Sequence, residues 1–118
     1  MADGVDTHVI AERVIPAKHQ PTGRDVEVTL RCYAPTADCD RATSCTYEVV
    51  LDSKVVARMA IAGVDGFQAV MLSMKSLARE AASIMRGAEI TWPPEYTRDL
   101  EALGDALRNA MKRGGTSP

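Results

Sequence analysis

The chain has no long apolar run, no excess charge of one sign and few groups suited to catalysis. No stretch approaches the roughly 20 apolar residues of a membrane-spanning helix, and the start Met1-Ala2-Asp3-Gly4 lacks the basic and apolar regions of a secretory signal. A net charge of −2, with 14 basic and 16 acidic residues, leaves no basic stripe for a phosphate backbone. We therefore expect a cytoplasmic protein that binds neither membrane nor nucleic acid.

Cysteine and histidine are also scarce. The chain has three cysteines, Cys32, Cys39 and Cys45. An odd number fits a reducing compartment better than a disulfide framework. Their spacings match no paired zinc spacing, and His8 and His19 lie upstream. No glycine-rich phosphate loop follows a predicted strand. We predict no metal ion, no cofactor and no catalytic residues, with the thiols of Cys32 and Cys45 sharing an inward sheet face.

The length and composition are those of one globular domain. A chain of 118 residues with 46% hydrophobic content can bury a single core. We expect disorder over residues 1–6 and 113–118, because neither end has apolar residues to bury. The predicted domain therefore spans residues 7–112.

Alternation of apolar and polar residues marks the first half of the chain as strands. The segment from Asp25 to Tyr33 alternates strictly, which predicts a half-buried strand. A second strand is predicted from Thr7 to Ile15, ending at Pro16, and the turn-forming set Pro21-Thr22-Gly23 predicts that the two form a hairpin.

Two further strands are predicted from their apolar faces. One face consists of Cys45, Tyr47, Val49 and Leu51, and the other of Val55, Ala57, Met59 and Ile61. A three-residue loop, Asp52-Ser53-Lys54, brings both faces to the same side, because a two-residue turn would invert the later strand. The connection from Ala34 to Ser44 is predicted to be an eleven-residue irregular loop and a candidate contact site.

The segment after Gly63 carries the strongest helix signal. Asp65 is placed to cap the helix and Gln68 to reach back to the N–H of the cap residue, as in a capping box. The helix should end near Gly87, a suitable left-handed residue. Its predicted apolar stripe consists of Phe67, Val70, Met71, Met74, Leu77, Ala78, Ala81, Ile84 and Met85.

A short extended crossing and a second helix are predicted next. The crossing runs from Ala88 to Trp92, and Trp92 is expected to pack against the core. Pro93-Pro94 opens the helix, with acids near its start and bases near its end, as the helix dipole favours. Its predicted apolar stripe consists of Tyr96, Leu100, Leu103, Leu107, Ala110 and Met111.

These elements predict an α+β fold: a four-stranded antiparallel meander with two C-terminal helices packed on one face, a two-layer sandwich. The opposite face of the sheet is then open to solvent and suits a protein partner. Leu72 falls on the polar side of the helix and marks a further candidate contact. The candidate partner-binding residues are Asp25, Glu27, Arg31, Tyr33, Asp38, Asp40, Arg41, Glu48, Arg58 and Leu72.

The helix start also carries a family resemblance. Gly63-Val64-Asp65, followed by Gln68-Ala69-Val70, resembles the signature Gly-Val-Asp, two variable residues, then Gln-Ala-Leu of an uncharacterised bacterial family of small proteins; Val70 replaces the leucine. The resemblance extends from about Val26 to Trp92. It implies a compact α+β domain in the bacterial cytoplasm and supplies no catalytic residues.

Three functional hypotheses follow. The first is a non-enzymatic protein-binding module, of the type represented by immunity proteins that neutralise bacterial toxins; this is an analogy of size and layout. The second is a small thiol- or metal-dependent enzyme that uses the cysteines. The third is a homodimeric ligand-binding protein that assembles through Leu72 and the outer helix face.

Overall fold

The computed structural model describes residues 8–37, 43–96, 98–99 and 101. In this part of the chain one antiparallel sheet of six strands packs against one long helix, α1. The elements are β1 (Val9–His19), β2 (Arg24–Tyr33), β3 (Thr36–Ala37), β4 (Thr43–Leu51), β5 (Lys54–Gly63), α1 (Gly66–Gly87) and β6 (Ile90–Thr91).

The sheet is not a simple meander. β4 pairs with β5 on one side and with β2 on the other, β2 pairs with β1, and β1 pairs with β6. The short β3 pairs with the first residues of β4. α1 covers one face of the sheet, mainly over β4 and β5. We call the opposite face the outer face.

The predicted fold of four strands and two packed helices is therefore wrong. Two short strands, β3 and β6, join the sheet, and α1 is the only long helix in the described residues. The predicted second helix begins as expected, since residues 94–96, 98–99 and 101 are helical. The later part of its stripe, from Leu100 to Met111, lies outside the described residues except for residue 101, as do residues 1–6 and 113–118.

β1 and β2 form the predicted hairpin, but β1 is longer than predicted. It continues through Pro16, which pairs with Glu27, and ends at His19. A proline is tolerated here because β1 has a partner on its second side only at Lys18 and His19 among the described residues. Gly23 has a φ of 72° in the turn, where glycine costs least.

The connection between β4 and β5 corrects the predicted three-residue loop. Asp52 and Ser53 form a two-residue turn, with φ of 47° and 72°. Val49 pairs with Ala57 as predicted, but Val50 pairs with Val55, so Val56 is the extra residue of a β-bulge. The bulge keeps Ala57 and Met59 on the inner face although the turn is short.

Asp65 caps α1, as predicted. Its side chain accepts a hydrogen bond from the backbone N–H of Gln68 at 2.8 Å. The Gln68 side chain accepts from the backbone N–H of Val64, one residue earlier than predicted. Gly63 is required by close packing, because a Cβ there would lie 2.5 Å from the backbone nitrogen of Ala69.

The buried stripe of α1 is rotated from the predicted one. Phe67, predicted to pack, is 76% exposed, whereas Ala69 and Ser73 are fully buried. Small residues allow the helix to lie close to the sheet, over Tyr47 and the two buried cysteines. The buried positions of α1 are Ala69, Ser73, Leu77, Ala78, Ala81 and Met85.

The end of α1 leads back to the sheet. The helix ends at Gly87 as predicted, but the left-handed residue is Glu89, with a φ of 58°. Ile90 and Thr91 then pair with β1, which confirms the predicted extended crossing for these two residues, whereas Ala88 and Glu89 form a turn. Trp92 packs against the main core, also as predicted.

Candidate functional site

Four charged side chains form a row across the outer face, one from each of β1, β2, β4 and β5. Glu12 pairs with Arg31, Arg31 with Glu48, and Glu48 with Arg58 in the strand register. The side chains contact in the same order, at 2.7, 3.1 and 3.1 Å. We call this row the charge ladder. Its signs alternate, so each charge is held by neighbours of opposite sign.

Glu48 is the centre of the charge ladder. Its side chain is only 4% exposed, although no second layer of described elements covers the outer face. One carboxylate oxygen accepts from Arg31 and from the Tyr33 hydroxyl, at 3.1 and 2.8 Å, and the other lies 3.1 Å from the Arg58 guanidinium. The long neighbouring side chains themselves cover the carboxylate.

Contacts within this cluster shift the pKa values of Tyr33 and Arg31. Burial, and then the hydrogen bond donated to Glu48, raises the pKa of Tyr33. The hydrogen bond to Glu12 is the largest cause that raises the pKa of Arg31. The Arg58 guanidinium lies 5.9 Å from the centre of the Tyr33 ring, within the range of a cation–π contact. Arg31 therefore contacts an acid on each side, and Arg58 contacts both Glu48 and the Tyr33 ring.

A less polar row lies beside the charge ladder. Val14 pairs with Thr29, Thr29 with Val50, and Val50 with Val55. We call it the valine row. Its two end residues, Val14 and Val55, are 49% and 48% exposed, whereas Thr29 and Val50 are buried between them. The outer face thus combines fixed charges with exposed apolar groups at its margins.

The end of the outer face next to the two hairpin turns carries acidic side chains that pair with neighbouring groups of the same chain. Asp25 accepts from Lys18 at 2.6 Å, and Asp52 accepts from Arg24 and from the backbone N–H of Glu27. The Lys18 hydrogen bond lowers the pKa of Asp25, and the Glu27 backbone hydrogen bond lowers that of Asp52. The two Asp52 contacts anchor the β4–β5 turn to β2.

The predicted contact residues divide into three groups. Arg31, Tyr33, Glu48 and Arg58 meet in one cluster, with Asp25 and Glu27 further along the same face. Leu72 lies on α1, on the other side of the sheet, and is partly buried. Asp38, Asp40 and Arg41 lie outside the described residues.

Sequence reasoning missed Glu12 and Val14, which extend both rows onto β1. The signal was weak because β1 exposes residues on both of its faces between Val9 and Val14. A register shift between Val9 and Ala11 also breaks the alternation. Strand pairing is needed to place these side chains beside Arg31 and Thr29.

One family model matches the chain: a domain of unknown function, DUF6968, over residues 11–102. The chain belongs to the DUF6968 family. No curated protein and no solved structure matches it. The match contains every residue of the charge ladder and the valine row, so the outer face described above is part of the DUF6968 domain.

The two described cysteines of this DUF6968 domain lie beneath α1. Their sulfur atoms are 3.4 Å apart, and both thiols are free and buried. Burial, with a smaller contribution from Cys45, raises the pKa of Cys32 to about 12; the nearby Ser73 hydroxyl opposes the rise. Ser73 Oγ is fully buried and has no hydrogen-bond partner among the residues that the structure describes. A thiol with so high a pKa is a poor nucleophile at neutral pH.

Other sites for chemistry are few in the described part of the DUF6968 domain. It contains no group of three histidine, cysteine or acidic side chains arranged to hold a metal ion. Its helices include none that is both long and apolar enough to cross a membrane. A cavity of about 170 Å³ lies between α1 and the inner side of β1, walled by Leu30, Cys32 and Met74 and rimmed by the Arg13–Asp99 ion pair.

Proposed function

We propose that this chain is a non-enzymatic protein-binding module and that the outer face is its contact surface. The observation that carries the proposal is the charge ladder: four charges of alternating sign, fixed by mutual contacts on a sheet face that no other described element covers. Side chains fixed before binding lose little conformational entropy when a partner docks.

The chemistry of this face favours a protein over other ligands. Arginine and tyrosine are enriched in protein interfaces, and Arg31, Arg58 and Tyr33 stand together here. The exposed Val14 and Val55 provide apolar area beside them. Nucleic acid fits poorly, because the two arginines are offset by Glu12 and Glu48.

The thiol-enzyme alternative has less support. Cys32 and Cys45 are buried and close to each other, so a substrate would need the helix to move before it could reach either sulfur. His19 lies in the β1–β2 hairpin, where its ring nitrogen is 2.8 Å from the Thr22 hydroxyl. A catalytic Cys–His pair requires the two side chains within hydrogen-bond reach.

Ligand binding is a second candidate, favoured by the cavity beside Leu30 and Met74. Its volume of about 170 Å³ is below the roughly 300 Å³ at which pockets for drug-sized ligands begin. We place it second for that reason. Leu72, on which the homodimeric version depended, does not line this cavity.

The biological setting is a further part of the proposal. We infer a bacterial protein whose Gly63-Val64-Asp65 segment is the family's helix-start signature, in a cytoplasmic location that an odd number of cysteines favours. A protein toxin neutralised by this chain is the partner class that the immunity analogy suggests.

Co-purification tests the proposal. The tagged chain would be co-expressed with each product of its neighbouring genes, in the wild-type form and as Arg31→Glu. We expect one neighbour to co-purify with the wild type and to be lost with Arg31→Glu, because the substitution puts an acid between Glu12 and Glu48. Arg79→Glu, on the exposed side of α1, makes the same change in charge and should retain the partner. Binding that is insensitive to Arg31→Glu would overturn the assignment to this face.

A further inference from the structure

The order of charges along the ladder carries information about the partner. From β1 to β5 the signs are negative, positive, negative, positive: Glu12, Arg31, Glu48 and Arg58. Such a row has no net charge, so it attracts neither a uniformly acidic nor a uniformly basic surface. It is complementary to a row of the same spacing whose signs run in the opposite order.

The chain itself supplies such a row. If two copies face each other about a two-fold axis parallel to the strands, the order of strands is reversed in the second copy. Glu12 then faces Arg58 of the other copy, and Arg31 lies over the position of Glu48, whose carboxylate is covered by its own neighbours, so the Glu12–Arg58 pairs at the two ends are the direct contacts. A two-fold axis across the strands that passes through the ladder instead places each charge over its own copy, which is repulsive. Charge therefore selects one of the two symmetric arrangements.

The valine row fits the same arrangement. Reversal places Val14 over Val55 and Thr29 over Val50, so the exposed residues at the margins cover each other. Sheets packed face to face with nearly aligned strands are a common arrangement in proteins. The same two-fold axis therefore places opposite charges together in the charge ladder and covers the exposed valines of the valine row.

We propose that the outer face binds a second copy of this chain, about a two-fold axis parallel to its strands. This inference rests on the proposed function, because it names the occupant of the same surface. Four strands about 4.8 Å apart make a face only roughly 20 Å wide. A face of this width lies at the low end of interface sizes, where weak and transient complexes are found, so we expect a weak dimer.

A charge exchange distinguishes contacts between copies from contacts within one copy. Glu12→Arg places two arginines opposite each other at both ends of the interface, and Arg58→Glu places two glutamates there. The double variant Glu12→Arg/Arg58→Glu restores opposite charges between copies. Within one copy it restores nothing, because residue 12 still adjoins Arg31 and residue 58 still adjoins Glu48.

Sedimentation equilibrium from about 5 to about 500 µM measures the outcome. We expect a dimer for the wild type and for the control Arg79→Glu, dissociation constants at least about tenfold weaker for each single variant, and recovery to within about threefold for the double variant. Circular dichroism confirms that each variant is folded.

Two results would overturn the inference: a wild type that stays monomeric over the whole range, or a double variant as weak as the single ones. Neither result would overturn the proposed function if a neighbouring gene product still binds and Arg31→Glu abolishes that binding. A wild type that neither self-associates nor binds any neighbouring gene product would overturn both the inference and the proposed function.

Discussion

Replacing Glu48 by alanine tests whether the charge ladder holds the outer face together. The substitution removes the acceptor of three contacts, from Arg31, Tyr33 and Arg58. We expect it to destabilise the fold, because Glu48 is the one buried member of the ladder and both arginines of the ladder contact it.

The magnitude follows from these contacts. The Tyr33 hydrogen bond contributes about 1 kcal/mol. The arginine side chains are 28% and 54% exposed, so after solvent screening each ion pair contributes about 0.5 kcal/mol. Loss of a buried methylene adds about 0.8 kcal/mol, and relief of the carboxylate's desolvation acts in the opposite direction. The net expectation is a loss of about 2 kcal/mol, or about 8 °C in Tm.

Urea unfolding followed by circular dichroism measures the loss. The urea dependence should keep its slope while the midpoint falls. Glu48→Gln, which keeps the shape but removes the charge, should lose about half as much. Glu95→Ala, at an exposed glutamate, should stay within about 0.5 kcal/mol of the wild type. A loss for Glu48→Ala no larger than that control would refute the role given to the ladder.

Three further predictions concern the fold and its titrating groups. Gly63→Ala should lower the free energy of unfolding by about 1–3 kcal/mol, because the added Cβ overpacks against Ala69. Gly87→Ala, with open space around it, should raise the free energy of unfolding by up to about 1 kcal/mol. Urea midpoints that shift in the same direction for both variants would contradict this. The Cys32 thiol, with a pKa of about 12, should react with a disulfide reagent only as the chain unfolds, and prompt reaction in a Cys39→Ser background would count against its burial. The pKa of Tyr33 is raised in the folded protein, so the stability that its hydroxyl contributes is fully present below about pH 10 and is lost as pH rises through the folded value. Tyr33→Phe should therefore lessen the alkaline loss of stability. A stability–pH profile that is unchanged by the substitution would argue against this.

The sequence predicts the hairpin, β4, β5 and α1 because their signals are local. Strict alternation in β2 and the Asp65 cap depend on near neighbours in the chain, and both are found as expected. The inward face of β4, with Cys45, Tyr47 and Val49, was likewise predicted from period-two patterning alone.

What the sequence does not predict depends on pairing between distant segments. The bulge at Val56 reconciles a short turn with the correct strand face, and no local pattern distinguishes it from a longer loop. β6 is a strand only because Ile90 and Thr91 lie against β1. The exposure of Phe67 follows from the rotation of α1, which is set by the small residues Ala69 and Ser73.

The same limit applies to the candidate site. The prediction found Arg31, Glu48 and Arg58 as members of one sheet face, but not their order as a ladder of alternating charge. That order requires the register of four strands, and Glu12 enters only through β1. The irregular connection predicted from Ala34 to Ser44 contains β3, and its residues 38–42 lie outside the described residues.

Self-association through the outer face is tested most directly by nuclear magnetic resonance of the labelled chain, diluted from about 1 mM to about 20 µM. We predict that concentration-dependent shifts concentrate in the charge ladder and the valine row, at Glu12, Val14, Arg31, Glu48, Val55 and Arg58, while the exposed side of α1 around Arg79 does not change. Shifts centred on α1, or spectra that are identical at both concentrations, would contradict self-association through this face.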